Sequence, residues 1–280
     1  VRPRRESPVI VTGYAVCPMC LFCYFCREIK LYNIMQEYQV SGFKVREYDE
    51  LSSTNTEAER VGWGQLEDKM VILTYRQTRG RGKVGNHWEC EPGKNISMTV
   101  VLRQDGLPAG WQFAVSMVIA LGACDFVSRY VKNCTVKWPN DIYVGDRKIS
   151  GILIEHLIMG PYVGGSLCGI GVNINQEQFL SDAPNPVSLF QLTGEEIPLS
   201  RALEELLACI GKRYASILDY EGLERDFLKV LYRGEGRYYW EDERGVFEAS
   251  IRGINEYGQL VLEDVAGRER VYGFKEVKYL

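Results

Sequence analysis

Three segments of this chain carry side chains whose types and spacing suit the binding of anions. The first runs from Arg79 to Lys83 as Arg-Gly-Arg-Gly-Lys, shortly after an apolar run that ends at Tyr75. Glycines let backbone N–H groups approach an oxyanion closely, and the cations neutralise phosphate charge. By itself, such a segment is also typical of a solvated surface loop.

Two common nucleotide-binding loops do not fit this first segment. Gly80, Gly82 and Gly85 have the spacing of the dinucleotide fingerprint, but that loop should open a helix. Here the run from Glu91 to Gly93 follows, and its proline and glycine break a helix. A Gly-Lys-Ser/Thr sequence is missing as well, which excludes a P-loop.

The second segment is Lys137-Trp-Pro-Asn-Asp141, followed by Lys148. Its proline fixes a turn at a strand end, where Asn140 and Asp141 present an amide and a carboxylate. Lys148 precedes an apolar strand that contains Gly151, so its ammonium is placed to pair with an anion at the mouth of a buried site. The alternative for an isolated lysine is an ordinary exposed turn.

The third segment runs from Gly169 to Asn175 and alternates glycine or asparagine with β-branched residues. One face of such a strand packs into the core, whereas the other leaves room and amide groups for a ligand. Close strand packing alone is an equally good interpretation of this segment.

Together, and in this order, these segments resemble the biotin protein ligase family. The matching residues are Ser53-Thr54-Asn55, Gln77, Gly80-Arg81-Gly82, Trp88, the block from Lys137 to Asp141, Lys148, Gly151 and the Gly-Ile-Gly-x-Asn strand. The resemblance extends from about Met35 to the C-terminus and includes the run from Gly273 to Val277. It implies an α/β (α+β) fold: a mixed sheet with helices, related to class II tRNA synthetases and lipoate ligases, then a small SH3-like β-barrel.

The resemblance implies an ATP-dependent ligase that forms biotinyl-5′-AMP from biotin and ATP. The enzyme would then transfer biotin to a lysine of a biotin carboxyl carrier domain in a biotin-dependent carboxylase. Magnesium is expected on the departing pyrophosphate, without metal ligands from the protein. A homodimer is left open.

Roles for individual residues also follow from the resemblance. The biotin-binding residues would be Ser53, Thr54, Asn55, Gln77, Arg81, Gly82, Lys83, Lys148 and Gly151. The residues that bind ATP and the adenylate would be Arg81, Lys83, Trp88, Asn140, Lys148 and Asn173. The catalytic residues would be Arg81, Lys148 and Asp141, with Asp141 positioning the incoming lysine amine.

The glycine-rich loop departs from the family's usual Gly-Arg-Gly-Arg-x-Gly-Arg-x-Trp string. Lys83 and Asn86 replace its second and third arginines. Lysine keeps the charge but loses the planar fork, and asparagine loses the charge too. We therefore expect this loop to hold the adenylate less firmly.

Hydrophobic patterning predicts the elements that position these segments. Strands are predicted at 43–48, 69–75, 96–102, 134–138, 148–156 and 162–174, and helices at 111–131, 199–218 and 223–231. Ser53 is predicted to cap a short helix that contains Glu57 and Arg60. The long apolar helix is interpreted as a buried core helix. Short alternating runs after Gly234 predict a small β-domain, which places the domain bounds at 34–233 and 234–280.

Composition limits the partners of this protein. The 33 basic and 37 acidic residues give a net charge of −4, without a basic stripe, so DNA is not an expected partner. About 50 residues precede Ser53, too few for the winged helix of repressor-type relatives, so a monofunctional enzyme is expected. Scattered single cysteines fit the cytoplasm, and a membrane is not expected.

Residues 1–33 form a leader that carries cysteines at positions 17, 20, 23 and 26. The cysteine spacing is compatible with an iron–sulfur or zinc site, and the uncharged run from Ser7 to Cys26 with a membrane anchor or signal. The apolar residues between the cysteines and the interrupting prolines favour an extension without a role in the chemistry. A chain that begins at Asn33 is expected to be soluble and active.

Two rival functions share some of these features. A lipoate ligase or acyltransferase would have the same fold, but the Lys-Trp-Pro-Asn-Asp block and the C-terminal β-domain favour biotin. A biotin-sensing regulator that is not an enzyme would bind DNA, which the composition disfavours.

Overall fold

The computed structural model describes residues 34–82, 87–104, 106–181 and 183–280. The leader and the stretch 83–86, with Lys83 and Asn86, lie outside the described residues, so the expectations for them stay predictions. In chain order, the first ten strands are β1 Ile34–Val40, β2 Phe43–Tyr48, β3 Met70–Thr74, β4 Gly80–Arg81, β5 His87–Trp88, β6 Ile96–Leu102, β7 Cys134–Lys137, β8 Asp141–Val144, β9 Arg147–Met159 and β10 Tyr162–Val172.

Eight of these strands form one mixed sheet, in the order β1-β2-β3-β6-β10-β9-β8-β7. Every neighbouring pair is antiparallel except β2 and β3, which are parallel. Strands β4 and β5 pair separately as a short ribbon. The sheet runs through Val71, Met98 and Ile170, which are almost completely buried.

Helices cover both faces of the sheet, and their bounds are α1 Thr54–Val61, α2 Phe113–Val127, α3 Leu189–Thr193, α4 Leu199–Tyr214 and α5 Tyr220–Lys229. Because side chains alternate along a strand, Ile170 and Val172 face the α2 side, while Gly169 and Gly171 face the α1 side. The α2 side holds the main hydrophobic core. A smaller cluster, including Ala58 of α1 and Ile72 of β3, fills the other side.

Helix α2 is the buried core helix that the sequence predicts. With the short 3₁₀ turn before it, the stretch Ala109–Val127 is long and apolar enough to cross a membrane, but 72% of its apolar window is buried inside the protein. Its α-helical part is shorter than the predicted 111–131 at both ends: Trp111 belongs to the 3₁₀ turn, and the helix ends at Val127.

The C-terminal part forms a second sheet of five strands: β11 Tyr238–Asp242, β12 Gly245–Ile254, β13 Leu260–Asp264, β14 Glu269–Tyr272 and β15 Lys278–Tyr279. Their order is β14-β13-β12-β11-β15, and all pairs are antiparallel. Trp240 of β11 is fully buried. The mixed α/β fold class is therefore confirmed, while the SH3-like topology and the bound at residue 234 stay predictions.

The strand predictions at 43–48 and 96–102 match β2 and β6 in full. No strand is predicted from the sequence at β1, β4, β5, β8, β11 or β15. Strand β1 is mostly exposed, so its sequence lacks the alternation that a half-buried strand shows. Strand β8 is not recognisable as a separate strand in the sequence, because it follows β7 after a turn of only three residues.

Candidate active site

One row of residues crosses the large sheet on the α1 side. Backbone pairing aligns Lys137 with Asp141, Asp141 with Gly151, Gly151 with Gly171, and Gly171 with Ser97. Residues aligned in this way project from the same face of a sheet. The two glycines leave a trench in the middle of the row, flanked by a cation and a carboxylate on one side and a hydroxyl on the other.

A β-bulge brings Lys148 onto the same face. Tyr143 pairs with Lys148 although Ile142 pairs with Ser150, so Ile149 is the extra residue. Without this bulge, Lys148 would point away from the face that carries Gly151, because three positions separate the two residues. On the shared face, Lys148 Nζ lies 2.8 Å from Asp141 Oδ1.

The start of α1 lies over the other end of the trench. Ser53 occupies the N-cap position as predicted, but its side chain makes no capping hydrogen bond. Instead, the Thr54 backbone N–H donates to Gln77 Oε1 at 3.0 Å. Gln77 therefore satisfies the helix terminus, and the Ser53 side chain lines the cavity described below.

Asn55 is buried against Gly169, where any Cβ would overlap its amide. Its Oδ1 accepts from Thr99 Oγ1 at 2.6 Å, and its Nδ2 donates to Glu155 Oε2 at 2.9 Å. The amide orientation is thus set by two residues that the sequence analysis did not single out. A weak signal for both is present in the sequence, since each is a polar residue with apolar neighbours on its N-terminal or C-terminal side in the strand.

Arg81 is held by two carboxylates. Its guanidinium donates to Glu59 Oε1 at 2.7 Å and to Glu155 Oε1 at 2.9 Å. The hydrogen bond to Glu59 is the main cause that raises the pKa of Arg81 further above its usual value, so the side chain keeps its charge. Glu155 thereby joins Arg81 to Asn55 through its two oxygens.

The Trp88 ring lies in the glycine trench. A Cβ on Gly171 would overlap this ring, and one on Gly151 would lie 3.0 Å from it. Trp88 Nε1 is buried without a hydrogen-bond partner among the described residues. Pairing of Gly80 with Trp88 holds this indole next to the glycine-rich loop.

The turn between β7 and β8 supplies an amide and a carboxylate, as predicted. Asn140 Nδ2 donates to the Ile152 carbonyl, and the Ile152 N–H returns a bond to the Asn140 carbonyl at 3.1 Å. These bonds fix the turn against β9. Asp141 then opens β8 directly opposite Gly151.

These groups surround one cavity of about 260 Å³. The predicted site residues that line it are Ser53, Thr54, Asn55, Gln77, Arg81, Gly82, Trp88, Asn140, Asp141, Lys148 and Gly151. The lining residues without a predicted role include His87, Lys137 and Phe274. Phe274 comes from the C-terminal part, in the run from Gly273 to Val277 that the resemblance includes without implying a site role for it.

Two predicted site residues are not placed in this lining. Lys83 lies outside the described residues. Asn173 is buried, and its Nδ2 donates to the Val187 carbonyl at 3.0 Å. The Val187 N–H in turn donates to the Lys148 carbonyl at 2.9 Å, so Asn173 is connected to the cavity through the backbone of Lys148.

Comparisons with known proteins agree with this architecture. The sequence profile of the Biotin/lipoate A/B protein ligase family matches residues 48–173. The biotin--[acetyl-CoA-carboxylase] ligase of Paracoccus denitrificans is 34% identical over 234 residues, 78% of this chain and 93% of that protein. The bifunctional ligase/repressor BirA of Bacillus subtilis is 28% identical over 84% of this chain and 74% of that protein.

The fold is also shared with solved structures. The biotin protein ligase of Aquifex aeolicus in complex with biotin and ATP superposes with a TM-score of 0.68 at 20% identity, over 84% of this chain and 99% of that one. The sequence likeness to the Paracoccus enzyme extends over nearly all of that protein. This chain therefore belongs to the biotin protein ligase family.

Proposed function

We propose that this protein is an ATP-dependent biotin protein ligase. It joins biotin to ATP to form biotinyl-5′-AMP, and then transfers biotin to a lysine of a biotin carboxyl carrier domain. The observation that carries the proposal is one cavity, in a member of this family, whose described lining brings together the polar groups at the start of α1, three cations and the glycine trench.

The α1 end of the cavity suits the head of biotin. Ser53, Thr54 and Gln77 present hydroxyl and amide groups at a cavity wall, and a cyclic urea both donates and accepts hydrogen bonds. Asn55 is already bonded to Thr99 and Glu155. Its role is therefore to shape the pocket and to offer the remaining lone pair of its Oδ1.

The chemistry of the first step needs positive charge between two anions. A carboxylate oxygen of biotin attacks the α-phosphorus of ATP, the bond to the β-phosphate oxygen breaks, and pyrophosphate leaves. Lys148 lies on the same face as the trench, next to Asp141, where it can hydrogen-bond both reactants as charge builds up. Arg81, in the glycine-rich loop, can stabilise the same developing negative charge. To do so, its guanidinium must exchange Glu59 or Glu155 for a substrate anion.

Asp141 and Lys148 remain neighbours during the second step. The neutral lysine amine of the carrier attacks the carbonyl carbon of the adenylate, AMP leaves with the electron pair of the broken C–O bond, and the nitrogen loses one proton to solvent. A carboxylate is a weak base toward an ammonium ion. Asp141 therefore acts by attracting and orienting the carrier amine.

The residues of this site fit a magnesium ion only if it is bound mainly through the phosphates of the nucleotide. Asp141 is the one carboxylate among the described lining residues, and Lys148 is bonded to it. Mg²⁺ commonly keeps its waters and is held by substrate phosphates with one or two carboxylates. When bound, it would neutralise the pyrophosphate that leaves.

Transfer of labelled biotin to a purified biotin carboxyl carrier domain tests the function. We expect the labelled carrier to appear only with ATP, with AMP and pyrophosphate as products. Lipoate in place of biotin is the control for the rival activity. Efficient lipoylation without biotinylation would contradict the proposal.

A further inference from the structure

Lys137 is a cation of the cavity that has no assigned role. It ends β7, lines the cavity and lies at one end of the row that contains Asp141, Gly151 and Gly171. The other two described cations of the lining are paired with carboxylates: Lys148 with Asp141, and Arg81 with Glu59 and Glu155. Lys137 forms no ion pair with any described residue.

Three tyrosines surround the Lys137 ammonium instead, and its Nζ donates to Tyr143 Oη at 3.4 Å. Its Nζ lies 4.8 Å from the ring centroid of Tyr143, 5.7 Å from that of Tyr232 and 4.8 Å from that of Tyr279. We call these three residues the tyrosine cage. The rings also contact one another, with centroids 5.3 Å apart for Tyr143 and Tyr232 and 5.8 Å apart for Tyr232 and Tyr279.

The tyrosine cage holds the Lys137 ammonium without neutralising its charge, whereas a carboxylate partner would neutralise it. Burial lowers the pKa of Lys137, and Asp141 partly opposes this change. The faces of aromatic rings attract a cation through their quadrupoles, which also favours the charged form. Because the rings carry no net charge, they hold the ammonium in place and leave its positive field directed at the cavity.

The position of Lys137 indicates which anion it meets. Three strand spacings separate it from Gly171, about 14 Å at the usual distance between neighbouring strands. The predicted biotin-head residues lie over Gly169 and Thr99, at the other end of the trench. Lys148 lies between, where biotin and ATP react, so the anion nearest Lys137 belongs to the nucleotide.

We propose that Lys137 is a further substrate-binding cation that contacts the phosphates of ATP, and that the C-terminal sheet positions it through Tyr279. Tyr279 lies in β15 and packs on the buried Trp240, with centroids 4.4 Å apart. Trp138, which follows Lys137 in the chain, also contacts the C-terminal part. Its Nε1 donates to the carbonyl of Gly258, between β12 and β13, at 2.8 Å. The inference rests on the proposed function.

The first experiment replaces the cation without emptying the cage. Lys137→Met keeps the length of the side chain and removes its charge. Loss of one charge-assisted bond predicts a rise of about tenfold or more in the KM for ATP and in the inhibition constant of pyrophosphate. The KM for biotin should stay within about twofold. Lys94→Met, at a partly exposed lysine outside the cavity, is the matched control.

The second experiment tests the positioning by the C-terminal sheet. Tyr279→Leu removes a ring of the cage and should raise the KM for ATP in the same direction as Lys137→Met. Tyr279→Phe keeps the ring and should retain the wild-type KM. Tyr239→Leu, at an exposed tyrosine of the same sheet, controls for general damage. An unchanged KM for ATP in a folded Tyr279→Leu protein would refute the positioning role.

Two further results separate this inference from the proposed function. Calorimetric titration of each variant with ATP measures nucleotide binding without catalysis. If the wild type binds ATP but forms no biotinyl-AMP, the proposed function is wrong. The difference in ATP affinity between the wild type and Lys137→Met still tests the inference in that case. If Lys137→Met binds ATP as the wild type does, or loses affinity for biotin instead, the inference is wrong.

Discussion

At the residue scale, Arg81 and Lys148 lie in different electrostatic surroundings. Lys148 has one carboxylate partner, Asp141, at 2.8 Å, whereas Arg81 donates to two carboxylates. Removal of Lys148 would leave Asp141 unpaired and facing the phosphates of the incoming nucleotide. The variant would lose the attraction between Lys148 and the phosphates, and the unpaired Asp141 carboxylate would in addition repel them.

Lys148→Ala should slow adenylate formation on the order of a hundredfold or more, because a charge-assisted bond is lost where charge develops. Pyrophosphate release under single-turnover conditions measures this rate. Adding Asp141→Asn should recover part of the loss, since it removes the repulsion. Preformed biotinyl-AMP should bypass part of the defect.

Lys94→Ala is the control for this prediction. Its side chain is exposed to 31%, against 30% for Lys148, and it is also ion-paired, but it lies outside the cavity. It should adenylate biotin at nearly the wild-type rate. A folded Lys148→Ala protein that releases pyrophosphate as fast as the wild type would remove this lysine from the mechanism.

At the scale of elements, strands β9 and β10 shape the trench through their glycines. Gly151 and Gly171 are paired across the two strands, and the Trp88 ring occupies the space that their missing side chains leave. A side chain at either position would compete with the indole for the same volume. Strand glycines usually weaken a sheet, so a packing reason for these two is expected.

Gly171→Ala should displace Trp88 and disturb the cavity. Overpacking of this kind costs about 1–3 kcal/mol, so the urea midpoint should fall and adenylation should slow by about tenfold or more. Gly253→Ala is the control, because a Cβ at this strand glycine of β12 meets no atom within 4 Å. If both variants behave alike, the trench does not constrain the indole.

At the scale of the whole molecule, stability should depend on pH through His156, which pairs β9 with β10. Its Nδ1 lies 2.8 Å from Ser166 Oγ, and burial lowers the pKa of His156 to about 4. An unfolded histidine has a pKa of about 6.5. Between these values the unfolded chain binds the additional proton, so the folded state loses stability as the pH falls through this window.

Denaturant unfolding at several pH values measures this effect. The free energy of unfolding should fall between about pH 6.5 and pH 4, by on the order of 2–3 kcal/mol. His156→Gln should flatten the curve in this window. His87→Gln, at the exposed histidine, should leave its shape unchanged. An equally steep curve in the His156→Gln protein would assign the pH dependence to other groups.

The contacts between the large sheet and the C-terminal sheet are also a property of the whole molecule. Trp138, next to the end of β7, is bonded to Gly258 between β12 and β13, and Phe274 of the C-terminal part lines the cavity. The small sheet thus completes the surroundings of the site. The sequence pattern predicts a small β-domain there but not these contacts, because they join residues more than a hundred positions apart.

The sequence by itself determined the family, the mixed α/β fold class and most of the segments that line the cavity. It could do so because glycine spacing, strand alternation and the Lys-Trp-Pro-Asn-Asp block are local features that the printed residues display directly. The residues from Ser53 to Asn55 could be named for the same reason. Strands such as Ile96–Leu102 were predicted in full, since an apolar run of that length and β-branched content favours a strand.

Only the tertiary structure decided which side chains share a face and which are already engaged. Lys148 points into the cavity because a bulge at Ile149 shifts the register, and strict alternation would have turned it away. Asn173 does not reach the cavity lining, since its amide is bonded to Val187. Glu155 is bonded to Arg81 of the glycine-rich loop, and Phe274 enters the lining from the C-terminal part. Such contacts depend on register and packing between elements, which no local pattern of residues encodes.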